Sequence, residues 1–131
     1  MQVSPLPAVA AGVVEVAVVA LPVAAGDWRL RHKTTDRKFY DAARVDSGAF
    51  ECVFVGDDGL VTEGSFTNVF AERDGVLVTP ALARGLLPGV LRARLIDEGR
   101  AVEGAVTAAD LAGGFFIGNA LRGLMRAVVR G

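Results

Sequence analysis

Two residues in this chain have the types needed for chemistry on an amine. One is Lys33, within His32-Lys33-Thr34-Thr35-Asp36-Arg37; the other, thirty positions on, is Glu63, within Thr62-Glu63-Gly64-Ser65. A lysine amine condenses with an aldehyde to form a Schiff base and, once displaced, carries protons as base and acid. It must then be less cationic than a surface lysine, which burial favours. A carboxylate beside a pyridine nitrogen holds that nitrogen protonated, so that the ring accepts electrons. Taken singly, Lys33 also reads as a solvated residue before a helix, and Glu63 as an exposed acid at a hairpin end. After Glu63, Gly64 and Ser65 allow a close turn that Asn68 could brace through side-chain to backbone hydrogen bonds.

Two further segments suit anions. Leu86-Leu87-Pro88-Gly89-Val90-Leu91-Arg92 starts a helix, and a helix N-terminus offers free amides and the positive end of the dipole to a phosphate. Pro-Gly also marks plain helix-initiating turns. In Gly118-Asn119-Ala120-Leu121-Arg122-Gly123, a glycine leaves room beside a polar side chain. Arg122 and Arg84 are weaker candidates for a substrate carboxylate, which a guanidinium binds through two parallel hydrogen bonds; surface pairing is the alternative for each. His32, the only histidine, points away from Lys33 in an extended segment. Trp28 and Tyr40 read as core or interface residues.

Taken in order, the four segments resemble the class IV aminotransferases, also called fold type IV, and most closely their aminodeoxychorismate lyase branch. The resemblance runs from Asp27 to near the C-terminus. It implies pyridoxal phosphate as cofactor, joined to Lys33, with its ring nitrogen facing Glu63. The phosphate would sit on the backbone amides of Val90 and Leu91 and on the side chain of Asn119. The implied reaction converts 4-amino-4-deoxychorismate to 4-aminobenzoate and pyruvate, a step toward folate. Lys33 would remove the proton from the amine-bearing carbon. A branched-chain or D-amino acid aminotransferase would use the same lysine and glutamate, but the segments around Lys33 and Asn119 look more like the lyase branch.

Family members have two domains, and 131 residues fit one of them. The resemblance therefore implies that residues 1–131 are a single domain, the C-terminal, lysine-bearing one, with the N-terminal domain absent. That domain normally forms the other wall of the cleft and supplies an arginine to the phosphate. A third reading is a non-catalytic truncated domain that self-associates.

Composition restricts the partners. The chain is 52% hydrophobic, ample for a core, and its 14 basic and 15 acidic residues leave a net charge of −1. Such a balance gives no basic stripe for nucleic acid and no polybasic membrane anchor, and so favours a small-molecule substrate. One cysteine, Cys52, cannot form an internal disulfide, and no Cys/His cluster suggests a metal, which fits a reducing cytoplasm. The apolar run from Val3 to Ala25 lacks a basic leader and is broken by Glu15 and Pro22, so it reads as a buried strand near Val13 to Leu21.

The elements that position these residues follow from pattern. A helix capped at Asp36 or a preceding threonine should run to about Arg44, with Phe39, Tyr40 and Ala43 inward. Two hairpins follow: Phe50–Val55 with Leu60–Glu63, and Phe66–Glu72 with Val76–Thr79. A helix from Pro88 should stop before Gly99, followed by a strand over 101–106 and a threonine-capped turn at Thr107. Phe115–Ile117 and Leu124–Val129 are the last strands. This is an α/β or α+β fold, a mixed sheet with two to three helices. Apolar surface left by an absent domain would drive formation of a homodimer. Light scattering at high concentration checks this expectation, and a monomer there would refute it.

Overall fold

The computed structural model describes residues 12–20, 38–56, 58–82, 86 and 88–130; Lys33, Arg84, His32, Trp28 and the proposed cap at Asp36 lie outside them. The strands are β1 (Val13–Ala20), β2 (Glu51–Val55), β3 (Val61–Gly64), β4 (Asn68–Arg73), β5 (Val76–Thr79), β6 (Ala101–Glu103), β7 (Phe115–Asn119) and β8 (Gly123–Val129). They form one sheet in the order β3-β2-β1-β8-β7-β4-β5-β6. Two α-helices, α1 (Lys38–Ser47) and α2 (Val90–Asp97), and a 3₁₀ turn at Ala108–Leu111 accompany it.

Strands consecutive in sequence pair parallel where a long crossover joins them, as in β1–β2 and β5–β6, and antiparallel where a short turn does, as in β2–β3, β4–β5 and β7–β8. β1 runs parallel to both β2 and β8, and β5 to β6. The remaining pairs, β2–β3, β4–β5, β4–β7 and β7–β8, are antiparallel. At the β4–β5 hairpin, Asp74 and Gly75 take φ of 52° and 80°, the left-handed conformation of a two-residue turn that matches strand twist.

Alternating side chains divide the core. Val69, Ala71, Phe115, Ile117, Met125 and Ala127 point to one face, where Val16, Val53 and Val61 join them. Phe70, Phe116 and Leu124 point to the other, beneath Leu91 and Leu95 of α2. Valines from β1, β2 and β3 thus share a cluster with side chains of β4, β7 and β8, so the sheet curls around it. On the outer face of β2, Tyr40 of α1 stacks on Phe54 with ring centroids 4.1 Å apart, next to Cys52.

Several elements differ from expectation: β4 begins at Asn68, because Phe66 lies in the turn closed by Gly64 and Thr67, and β7 runs on to Asn119. α1 continues three residues past Arg44, and its last turn closes as Ser47 Oγ donates to the Arg44 carbonyl. β6 stops at Glu103, after which Val106 turns inward and its carbonyl accepts from Val61 N–H. β1 lies inside the sheet, yet Val16 is its one buried residue. Glu15 is exposed, 3.9 Å from Arg130. The Thr107 cap forms as a reciprocal pair with Asp110, whose carboxyl is held below its ordinary range by the Thr107 amide.

Phe54 is fully buried. Replacing it with alanine should cost about 3–5 kcal/mol of stability, because the ring leaves a cavity as well as lost burial. Urea unfolding reads this directly.

Candidate functional site

Glu63 occupies the third position of β3 and is 3% exposed, so it is a buried carboxylate rather than a surface acid at a hairpin end. Immediately after it the chain reverses through Gly64-Ser65-Phe66-Thr67 into β4, closed by Gly64 N–H donating to the Thr67 carbonyl at 2.9 Å. A Cβ on Gly64 would lie 2.5 Å from both Glu51 Oε2 and Thr67 Oγ1, so this position has room only for glycine.

The turn is held from inside by Glu51, which is fully buried at the start of β2. Its Oε1 accepts from Cys52 N–H at 2.8 Å, from Ser65 N–H at 3.0 Å and from the Ser65 hydroxyl. Oε2 accepts from Phe66 N–H at 3.1 Å and from the Thr67 hydroxyl at 2.8 Å. Five donors replace the water that a buried carboxylate loses. Ser65 is therefore a turn brace.

From outside, Asn119 at the end of β7 holds the same turn. Its Nδ2 donates to the Phe66 carbonyl at 3.0 Å, while its Oδ1 accepts from Arg122 N–H at 2.8 Å. The Arg122 guanidinium lies 5.6 Å from the Phe50 ring centroid and 5.7 Å from that of Phe66, and those two rings meet edge to face. Arg44 approaches Phe66 at 5.6 Å.

α2 brings its N-terminus to this end of the sheet. Its N-cap is Gly89, which provides no side-chain cap, and the first turn holds no acidic residue. The Val90 and Leu91 amides thus have no intrahelical acceptor. Val90 is 72% exposed and Leu91 1% exposed, so one side chain faces outward while the other anchors the helix. The helix end sits close because two side chains are missing. A Cβ on Gly89 would lie 2.2 Å from Asn68 Oδ1, and one on Gly118 would lie 2.8 Å from the Leu91 side chain. Asn68 and Gly118 are themselves register partners.

Five of the seven residues singled out from the sequence lie among the described residues: Glu63, Val90, Leu91, Asn119 and Arg122; Lys33 and Arg84 do not. Short contacts link the Glu63 turn to Asn119, and α2 to Asn68 and Gly118. Sequence reasoning missed Glu51 and Thr67. The available signal was a lone acid in the apolar strand Phe50-Glu51-Cys52-Val53-Phe54-Val55, which needs a reason to be buried. Among the described residues no group of three His, Cys, Asp or Glu side chains comes together for a metal, and no helix is long and apolar enough to cross a membrane. A buried carboxylate and helix-end amides without an intrahelical acceptor suit a small ligand with a basic ring nitrogen and an anionic group.

Similarity to known proteins specifies the family of this curled mixed sheet. The chain belongs to the amino-transferase class IV family, whose model matches residues 1–128. Over 62 residues it is 39% identical to a Thermotoga maritima protein named "Probable branched-chain-amino-acid aminotransferase", covering 47% of this chain and 23% of that one. Over 50 residues it is 38% identical to the aminodeoxychorismate lyase of Bacillus subtilis, covering 38% of this chain and 17% of that protein. A crystal structure of a Mesorhizobium loti protein named "Putative amino-acid aminotransferase" superposes with a TM-score of 0.83 and 41% identity, over 97% of this chain and 65% of that one. The chain thus spans only part of the length of these relatives.

α2 is fixed at its flank by Arg92, a buried residue that donates to the Pro80 carbonyl at 2.9 Å and to the Glu103 carboxylate. The hydrogen bond from Arg92 and then the one from Leu82 N–H hold the Glu103 carboxyl below its ordinary value of 4.5. A lowered carboxyl pKa in the folded state contributes stability that is complete above the unfolded value and lost as pH falls through the folded one. We therefore expect Glu103→Gln to flatten part of the fall in stability below about pH 4.5. Urea unfolding between neutral pH and acid measures it.

Proposed function

We propose that this chain forms the lysine-and-carboxylate side of a pyridoxal phosphate site in an aminodeoxychorismate lyase that yields 4-aminobenzoate and pyruvate. The observation that carries the cofactor reading is the burial of Glu63 on β3, at the sheet end where α2 begins with uncapped amides. Pyridoxal phosphate, when bound, supplies an aldehyde for the substrate amine and a ring that accepts electrons. Glu63 keeps the ring nitrogen protonated, which a buried carboxylate does more strongly than a solvated one. The Val90 and Leu91 amides receive the phosphate, with Asn119 beside them.

Lys33 holds the cofactor until the substrate amine displaces it, then moves the proton at the amine-bearing carbon. Arg122 and Arg84 are the candidates for the substrate carboxylates. Loss of pyruvate leaves an aromatic ring, so the protein mainly orients groups and moves protons. The lyase reading is supported by the segments around Lys33 and Asn119 and by the Bacillus subtilis relative. We place the enzyme in the cytoplasm, as a homodimer or completed by an N-terminal domain.

An aminotransferase is the second reading, favoured by the Mesorhizobium loti and Thermotoga maritima relatives. It differs in needing a keto acid to take the amino group. Borohydride reduction of the chain mixed with pyridoxal phosphate should label Lys33, identified by peptide mass spectrometry, and Lys33→Ala should lose the label. An unlabelled Lys33 means that an N-terminal domain is required to hold the cofactor or that the site in this chain is dead. Pyruvate release without any keto acid supports the lyase; amino transfer that depends on a keto acid supports the alternative.

A further inference from the structure

We infer that Glu51 is a positioning residue that sets where Glu63 meets the cofactor ring; this rests on the cofactor reading of Glu63. The two acids lie on adjacent antiparallel strands, β2 and β3, with Val53 opposite Gly64 and a register shift between Val53 and Val55. Between these pairs β2 advances two residues and β3 three, so the extra residue falls at Thr62–Glu63 and Glu63 lies where the ladder is locally disrupted. Glu51 supplies the missing restraint. It binds the amides of Ser65 and Phe66 and the hydroxyls of Ser65 and Thr67, so the segment directly after Glu63 cannot move without breaking several bonds together.

Charge and shape both require a carboxylate here. Each of its oxygens receives at least one backbone N–H: Cys52 and Ser65 at Oε1, Phe66 at Oε2. A glutamine has one acceptor oxygen and one donor amide. Whichever way it lies, a donor would face a backbone N–H that cannot accept. Gly64 completes the arrangement, since any side chain there would occupy the space taken by Glu51 Oε2. Buried and wholly engaged in this way, Glu51 has no part in binding a ligand itself.

The test compares Glu51→Gln and Glu63→Gln with the unaltered full chain. Affinity is measured for pyridoxal phosphate and for its 1-deaza analogue, which has carbon in place of the ring nitrogen. Amide exchange at Ser65 and Phe66 is read by NMR without ligand, and circular dichroism monitors the fold. We expect Glu51→Gln to speed exchange at both amides and to weaken pyridoxal phosphate binding about tenfold. It should also erase the preference over the deaza analogue, as Glu63→Gln does. A merely structural role would weaken both ligands alike and preserve the preference.

A folded Glu51→Gln chain with its preference intact overturns the positioning role and leaves the cofactor reading standing. No preference in the unaltered chain overturns the reading of Glu63 and the positioning role together, while Lys33 labelling still reports on the cofactor. If Glu51→Gln does not fold, the double variant Ser65→Ala/Thr67→Val decides. It removes two hydroxyl donors and keeps the carboxylate and every backbone bond. A partial loss of the preference supports the proposal, and an unchanged preference overturns it.

Discussion

A buried carboxylate organises the end of this sheet where the candidate site is built. Glu51 has no water to solvate it, so its charge is sustained by backbone amides and hydroxyls drawn from the turn between β3 and β4. The dependence runs both ways. The turn needs an internal acceptor for amides that form no ladder bonds, and the acid needs converging donors. Gly64 allows the two to meet, and Asn119 holds the other side through the Phe66 carbonyl. Removing one partner leaves several polar groups unsatisfied at once, which is why networks of this kind behave as units.

The rest of the fold brings β3, β4, β7 and α2 to a common end. Alternation along β4, β7 and β8 sends one set of side chains into the curl of the sheet and the other beneath α2. Leu91 and Leu95 draw α2 down onto Phe70, Phe116 and Leu124, while Gly89 and Gly118 remove the side chains that would keep its N-terminus away. Apolar burial thus determines where the helix dipole points. At the flank, Arg92 joins the helix to Pro80 and Glu103 and limits its rotation over the sheet.

On the proposed reading of the site, this arrangement suits a family with more than one chemistry. A buried acid and helix-end amides bind and polarise a ligand without selecting what becomes of the substrate. Relatives named as a lyase and as aminotransferases match overlapping parts of this chain's architecture. The groups that distinguish the reactions touch the substrate. Arg122 lies over the Phe50 and Phe66 rings on the exposed β7–β8 turn, a contact that keeps its charge near the surface end of the site.

Local pattern alone made most elements legible. The hairpin turns at Gly59 and Gly75, the Pro88-Gly89 start of α2 and the Thr107 cap each depend on residues adjacent in sequence, so their signals survive without tertiary context. The family was legible too, because its four segments keep their order. The outer ends of α1 and β6 were not, since neighbouring strands and the last-turn bond of Ser47 settle them. Nor was the purpose of Glu51: five donors, from Cys52 beside it and from Ser65 to Thr67 after β3, converge on it only once β2 and β3 are paired and the turn folds back. The sequence by itself determined which residue types are present for such chemistry and the period of the strands, which are local properties. Only the tertiary structure decided that Glu63 is buried and that Ser65 and Asn119 brace its turn, because burial and hydrogen-bond partners are set by residues distant along the chain.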